Sequence, residues 1–519
     1  MPSERTVSEP TMTWYQAKIQ RLCESNNIED KKNILKDVEI KFAALRDGDE
    51  ELVARSLDLR PLLAQLTSND DRYDDREFVE LLCQFLLVLF QKLEPGEFYQ
   101  RYPVEVSALI TNPNASVRYL VLHNFERTAK DPVKILQLIA DTTLLISIVN
   151  RIGDNDLNVA KCAMSAVKKI GKNPSGLHIL YKGELLRTFA KLLQDDTVSF
   201  RVYEVIVDIA TTSQEALEVT AQSGFLNSLI NILENDDVLL QLNALELLTQ
   251  LAVSGEGLSY LEQQEVLVKL VQKIAQVNEN PLSNLVLPGL MKFFGSIACH
   301  WPNEMFSKYP VIVIALFDVI DSGDESLLGP ALDTLGFVSE SVEGKYALEA
   351  VGDDAMLGAL KKIAEIVQRM PTDLRIRGLS SLYRILRVER HEQDNRILSL
   401  TKLWFDSLCD DPLGMIVAIC RQPFADIRQG GLAVLGAISS QVWGQEYIST
   451  YPGLVEFLLD RNVESFKECK HEKYQIVKCL SQAERDIFDA DTMQKFKQFV
   501  NEGPYFVDVN AEVAIEGES

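Results

Sequence analysis

Apolar residues in this chain fall at helical spacing, and the helical stretches themselves recur with a period near 41 residues. Within residues 201–210 the apolar positions are Val202, Val205, Ile206, Ile209 and Ala210. That i, i+3, i+4, i+7, i+8 stripe predicts a half-buried amphipathic helix, with Arg201, Glu204 and Asp208 left for its polar face. A short acidic turn opens the stretch at Asp195, and matching turns begin at Asp154 and Asn235. Asp and Asn side chains accept hydrogen bonds from the free amides of a first helical turn, so each acidic turn is expected to start a helix. Val159, Phe200 and Leu240 hold equivalent places, 41 and 40 residues apart. A glycine returns at the far end of the unit as Gly176, Gly257, Gly344 and Gly444, with the later intervals enlarged. Three Tyr-Pro pairs, Tyr102-Pro103, Tyr309-Pro310 and Tyr451-Pro452, read as further helix starts, because proline in a first turn gives up no hydrogen bond.

Units of about 40–47 residues with two or three helices cannot bury their apolar faces alone and must stack on one another. The expected fold is therefore an all-α, armadillo/HEAT-like, right-handed superhelical solenoid. Stacking overrides the several separate domains that 519 residues would otherwise suggest. A loose N-terminal tail is expected over 1–13, a solenoid over 14–500 and an acidic C-terminal tail over 501–519. Inside the solenoid, 14–110 reads as irregular capping repeats, 111–275 as regular repeats and 276–500 as enlarged ones. The enlargements fall around 278–281, 387–395 and 461–471.

Charge narrows the function. Lys and Arg number 52 against 76 Asp and Glu, a net charge of −24 that repels phosphate backbones and acidic membranes. Neither nucleic acid nor a membrane is expected as partner; basic proteins, or plain solubility, fit better. Eight cysteines lie scattered with no Cys-x-x-Cys pair, as in reduced core thiols of an intracellular protein. Residues 1–11 lack a basic region followed by an apolar run, and the longest apolar stretch, 81–90, is half of what a membrane span needs. The expected location is the cytoplasm, with the nucleus as a second compartment. Asp154, Asp156 and Asn158 mimic the first ligands of a calcium loop, but Val159 and Ser165 stand where glycine and a bidentate Glu are required. Gly255-Glu256-Gly257 lacks the third glycine and preceding strand of a nucleotide site. With five histidines far apart and no nucleophile or metal motif, no enzymatic activity, cofactor or metal is expected.

What remains is a surface. In armadillo repeats the last helix of each unit lines an inner groove, and the register places Arg201, Glu204 and Asp208 on it. Ser165 and Lys169 precede them; Asn243, Glu246 and Gln250 follow, and then Lys292, Asp333, Arg377 and Arg384. A polar groove of mixed sign suits a folded protein partner, since charges fix register and reject wrong partners. Reversing Arg201 and Lys292 to Glu is expected to weaken that partner without unfolding the chain. Residues 369–396 hold seven arginines and no lysine. The planar guanidinium suits an acidic patch, although Asp373, Glu389, Glu392 and Asp394 stand nearby to absorb the run in surface pairs. Arg377 and Arg384 are the two expected to escape that pairing and face the groove. A nuclear-import adaptor would line the groove with a ladder of Trp and Asn. The matching pairs here are His123/Arg127, Ser165/Lys169, Glu204/Asp208 and Glu246/Gln250, so the ladder is absent. A general protein-interaction scaffold stays open as an alternative.

Four segments carry a resemblance: Arg201-Val-Tyr-Glu-Val-Ile-Val-Asp-Ile-Ala210, Leu287-Pro-Gly-Leu-Met-Lys-Phe-Phe-Gly295, Trp404-Phe-Asp-Ser-Leu-Cys-Asp-Asp-Pro-Leu413 and Glu502-Gly-Pro-Tyr-Phe506. In order and spacing they resemble the proteasome base assembly chaperone family, from about Val117 to Ser519 and weakly before Leu81. The resemblance implies a chaperone that binds the C-terminal domain of one AAA ATPase subunit of the proteasome regulatory particle. It further implies a module with a partner ATPase and the large non-ATPase scaffold subunit of the base, and absence from the mature proteasome. Covering the ATPase's small domain would block premature docking on the core particle. A monomer is expected when the chain is free.

Overall fold

The computed structural model of the chain describes residues 9–46, 48–67, 75–275, 283–352, 354–483 and 487–506. Among these residues the regular structure is helical, without a strand, and the helices come in threes, one long and two short. The long helices that recur once per repeat are α1 (Ile28–Ala43), α2 (Arg76–Lys92), α3 (Ala115–Thr128), α4 (Leu157–Lys172), α5 (Asp196–Ala210), α6 (Val238–Ala252), α7 (Ser283–His300), α8 (Glu325–Val338), α9 (Thr372–Leu386), α10 (Ala425–Ser439) and α11 (Lys467–Leu480); Glu9–Glu24 and Ala355–Arg369 are of similar length but lie outside this series. Two compact units divide the chain, Met1–Asn235 with α1–α5 and Asp236–Ser519 with α6–α11. Within each unit every long helix packs against the next to form a spine. Short helices stack in parallel rows, Thr142–Asn150 on Gly183–Leu192 in the first unit and Val266–Ala275 on Pro310–Ser322 in the second. The chain is an all-α solenoid. Among the described residues no single helix is long and apolar enough to cross a membrane.

Local chemistry explains where the spine helices start. Asp156 accepts from the amides of Asn158 and Val159, Asp195 from Thr197, and Asp237 from Leu239 and Leu240. The recurring acidic turns are therefore N-caps. In α5, Val202, Val205, Ile206, Ile209 and Ala210 are all buried, and so are Tyr203 and Val207. The buried arc is wider than a half-buried helix has, because α4 covers one side and the helix Phe225–Asn231 another. Each such aliphatic side chain contributes roughly 1.5–3 kcal/mol by leaving water.

The recurring glycines mark a fold-back. Gly176, Gly257, Gly344 and Gly444 lie in the short helix after a spine helix, where a Cβ would sit 2.1, 1.9, 1.8 and 2.1 Å from the carbonyl oxygens of Ile170, Leu251, Val338 and Ile438. Only a hydrogen fits where the chain turns over the end of the spine helix. Two of the Tyr-Pro pairs start helices, Pro103–Leu109 and Pro310–Ser322, with Tyr102 and Tyr309 as N-caps. The third does not: Tyr451 closes Val442–Thr450, and Pro452 lies in a turn before Leu454–Leu459. Gly453, at φ +73°, re-aims the chain there, so the next helix starts behind the glycine.

The first helix, Glu9–Glu24, begins inside the segment read as an N-terminal tail. The last, Ala490–Glu502, ends just inside the segment read as the acidic tail. Arg461 donates to the carbonyls of Phe499 (2.9 Å) and Gly503 (2.7 Å), fastening that end. The expected insertion at 278–281 and the acidic residues beyond 506 lie outside the described residues.

Candidate interaction surface

In the first unit α4 carries Lys161, Lys168, Lys169 and Lys172 and no acidic residue. Three of its lysines find counter-ions on the neighbouring spine helices. Lys169 reaches Glu126 of α3 at 2.8 Å, and Lys168 and Lys172 reach Glu204 and Asp208 of α5 at 2.7 and 2.8 Å. Ser165 donates to the same Glu126 at 3.0 Å. Glu204 and Asp208 thus lie on one partly exposed face, each already holding a lysine. Exposed pairs of this kind are worth at most about 1 kcal/mol each, so an incoming charge can exchange into them at little cost.

Arg201 departs from the expected groove role. Its Nη1 donates to the carbonyls of Ile152 (3.2 Å) and Asp154 (2.9 Å), in the turn before α4. Asp154 is buried, and its carboxylate accepts two hydrogen bonds from Arg118 Nε and Nη2, both at 2.7 Å. Burial pushes the Asp154 carboxyl up, but the bonds from Arg118 and the nearby charges outweigh it and hold the carboxyl below its usual range. Arg201 is a tie in the chain Arg118–Asp154–Arg201. Its place in the second turn of α5, beside the preceding repeat, gives it backbone carbonyls as partners. Reversing it removes a structural bond, contrary to the expectation that the fold would be indifferent.

In the second unit Asn243, Glu246 and Gln250 are exposed along α6, and Glu246 pairs with Lys292 of α7. Asp333 of α8 accepts from Arg377 of α9 at 2.7 Å, and Arg377 also lies 3.3 Å from Asp373. Burial pushes the Asp333 carboxyl above its usual range against the pull of Arg377 and Arg384. Arg384 stands 3.9 Å from Glu340, with its guanidinium 4.2 Å from the centre of the Phe337 ring. The two arginines expected to escape pairing are therefore engaged. Arg375 donates to the Val367 carbonyl, Arg387 pairs with Glu389, and Arg396 pairs with Glu349. Among the described residues, Arg369, Arg375 and Arg390 are the members of the run that no carboxylate reaches within ion-pair distance.

Sequence reasoning missed Glu126, Lys168, Lys172 and Glu340. Their signal is a complementary charge one repeat away: Glu126–Lys169, Lys168–Glu204, Lys172–Asp208 and Glu340–Arg384 are 43, 36, 36 and 44 residues apart. Among the described residues no three side chains converge as metal ligands, and all eight cysteines are unpaired. Burial pushes the Cys162 and Cys83 thiols up to about 11 and about 12, which makes them poor nucleophiles. Among the described residues this surface is one of paired charges and gathers no reactive constellation.

Comparison with known proteins agrees with this picture. The profile of the family described as "Proteasome non-ATPase 26S subunit" matches residues 13–519. The 26S proteasome non-ATPase regulatory subunit 5 of Homo sapiens is 32% identical over 468 residues, covering 89% of this chain and 92% of the human protein. The Drosophila melanogaster protein of the same name is 33% identical over 327 residues, 63% of each chain. Among solved structures, Kap121p bound to Nup53p superposes with a TM-score of 0.52 at 12% identity, over 96% of this chain and 47% of that one. Importin beta gives 0.50 at 11%, over 95% and 73%. At such identities these two establish the solenoid fold alone.

Proposed function

This chain belongs to the family of proteasome non-ATPase 26S subunits, and on that basis we propose that it is a chaperone for assembly of the base of the proteasome regulatory particle. In this reading it binds the C-terminal domain of an AAA ATPase ring subunit, meets the large non-ATPase scaffold subunit in the same module, and leaves before the mature proteasome forms. It works as a monomer when free, in the cytoplasm with the nucleus as a second compartment, and catalyses no reaction.

The observation that supports a binding role is the set of exposed charge pairs between successive spine helices. Glu246–Lys292 and Asp333–Arg377 bridge neighbouring repeats in the second unit. A partner with a complementary patch can replace one member of each pair, so the charges are never left without a counter-ion during docking. Asn243 and Gln250 add neutral contacts beside them. Mechanistically, a partner's small domain laid along such a face is hidden from other docking surfaces until the chaperone is displaced.

Affinity purification of the full chain from cell extract tests the reading. Recovery of proteasome ATPases and the large scaffold subunit without core-particle subunits is expected. Recovery of intact mature particles, or of no ATPase, overturns it.

A further inference from the structure

Between α4 and α5 the first unit holds a slot of about 310 Å³, lined by Leu157, Ala160, Lys161, Met164, Lys168 and Arg201 among others. Ala160 and Met164 are buried and give it an apolar floor, while Leu157 stands 59% exposed at the start of α4. A volume of this size accepts one aliphatic side chain with room for its backbone. The rim carries three cations, Lys161, Lys168 and Arg201, against one carboxylate, Glu204. Lys168 shares Glu204, and Arg201 is held in place by two carbonyls. Lys161 differs from the other three lysines of α4: among the described residues no carboxylate lies within ion-pair distance of it. A helix with four lysines and no acid is an exception in a chain of net charge −24.

We propose that this slot docks an acidic protein segment carrying one apolar anchor residue, the anchor entering over Ala160 and Met164 while a neighbouring Asp or Glu meets Lys161. Exposed Leu157 extends the floor, and its apolar surface leaves water when the anchor arrives. Three cations at the rim disfavour a basic segment. The slot lies in the first unit, whereas the charge pairs behind the proposed function lie in the second, and its chemistry does not depend on which protein supplies the segment.

The test is a fluorescein-labelled decapeptide of aspartates with one central leucine, titrated into the full-length chain by fluorescence anisotropy. Saturable binding is expected, at least about tenfold weaker for the peptide with serine in place of leucine and for the peptide with lysines in place of aspartates. Lys161→Glu and Leu157→Ser are each expected to weaken the aspartate peptide about tenfold. Both residues are exposed, so the thermal unfolding midpoint stays at the wild-type value. Equal binding by wild type and Lys161→Glu, equal binding of the acidic and basic peptides, or no saturable binding overturns the proposal. The same proteins titrated with an isolated ATPase C-terminal domain keep the two claims apart. Domain binding without peptide binding removes the slot and leaves the chaperone reading; peptide binding without domain binding does the reverse.

Discussion

Lys345 is fully buried, one residue after the fold-back glycine Gly344. Its ammonium donates to the carbonyl of Ser339 and, at 3.2 Å, to that of Arg384, so it joins the ends of α8 and α9. Burial pushes its pKa down to about 8, from 10.5. Between about pH 8 and 10.5 the unfolded chain therefore holds the extra proton at this residue, and stability rises with pH across that window. Below pH 8 both states are protonated and the cost of the buried charge is present in full. The stability of wild type relative to Lys345→Met is expected to increase from pH 8 to 10, by no more than about 3 kcal/mol. Urea unfolding at several pH values reads this, and parallel profiles would contradict it. Asp154 has the same pH slope in a lower window, but there the charged form is the favoured one. Its carboxyl is held low, so its contribution is present above the ordinary carboxylate range and fades as pH falls through the folded value. Asp154→Ala leaves Arg118 buried without a counter-charge and is expected to lose about 3–5 kcal/mol in urea unfolding. The sequence shows Asp154 as part of an acidic turn. Its bond to Arg118, 36 residues earlier, was not legible, because it depends on how one repeat is placed on the next.

At the scale of elements, recurrence made the helices readable. The acidic turns recur because every spine helix needs its free amides satisfied, and glycine recurs at the four fold-backs where a Cβ would strike a carbonyl at the end of the spine helix. Gly257→Ala puts a methyl group against the Leu251 carbonyl and is expected to destabilise by about 1–3 kcal/mol. Gly358, inside the helix Ala355–Arg369, has open space where its Cβ would be. Gly358→Ala is expected to raise stability by about 0.5–1 kcal/mol, since alanine is the better helix former. Calorimetric midpoints moving the same way for both variants would refute the distinction. The third Tyr-Pro pair shows where such reading stops. The dipeptide is the same, but Gly453 behind it takes a left-handed conformation and shifts the helix start, so a motif shared by three sites performs two different jobs.

For the molecule as a whole, the spine helices together carry more basic than acidic residues, although the chain is net −24. The excess acid lies outside the spine helices. That contrast supports a contact made by the spine faces, and an electrostatic one, so binding should weaken steeply with added salt. The solenoid was legible because one short unit is repeated many times. That Glu204, Asp208, Asn243, Glu246 and Arg377 keep at least part of their surface in solvent was legible too, from register alone. Which of those charges were already paired was not, because the partner of each lies a full repeat away, and Arg201 was misread for that reason. The most direct test of the account is calorimetric titration of the full chain with the isolated C-terminal domain of each proteasome AAA ATPase, using wild type and the Lys292→Glu, Arg377→Glu double variant. The account predicts that one domain binds wild type and that the variant, unchanged in thermal midpoint, binds it at least about tenfold more weakly. Absence of binding by every domain, or equal affinity for wild type and variant, would contradict it.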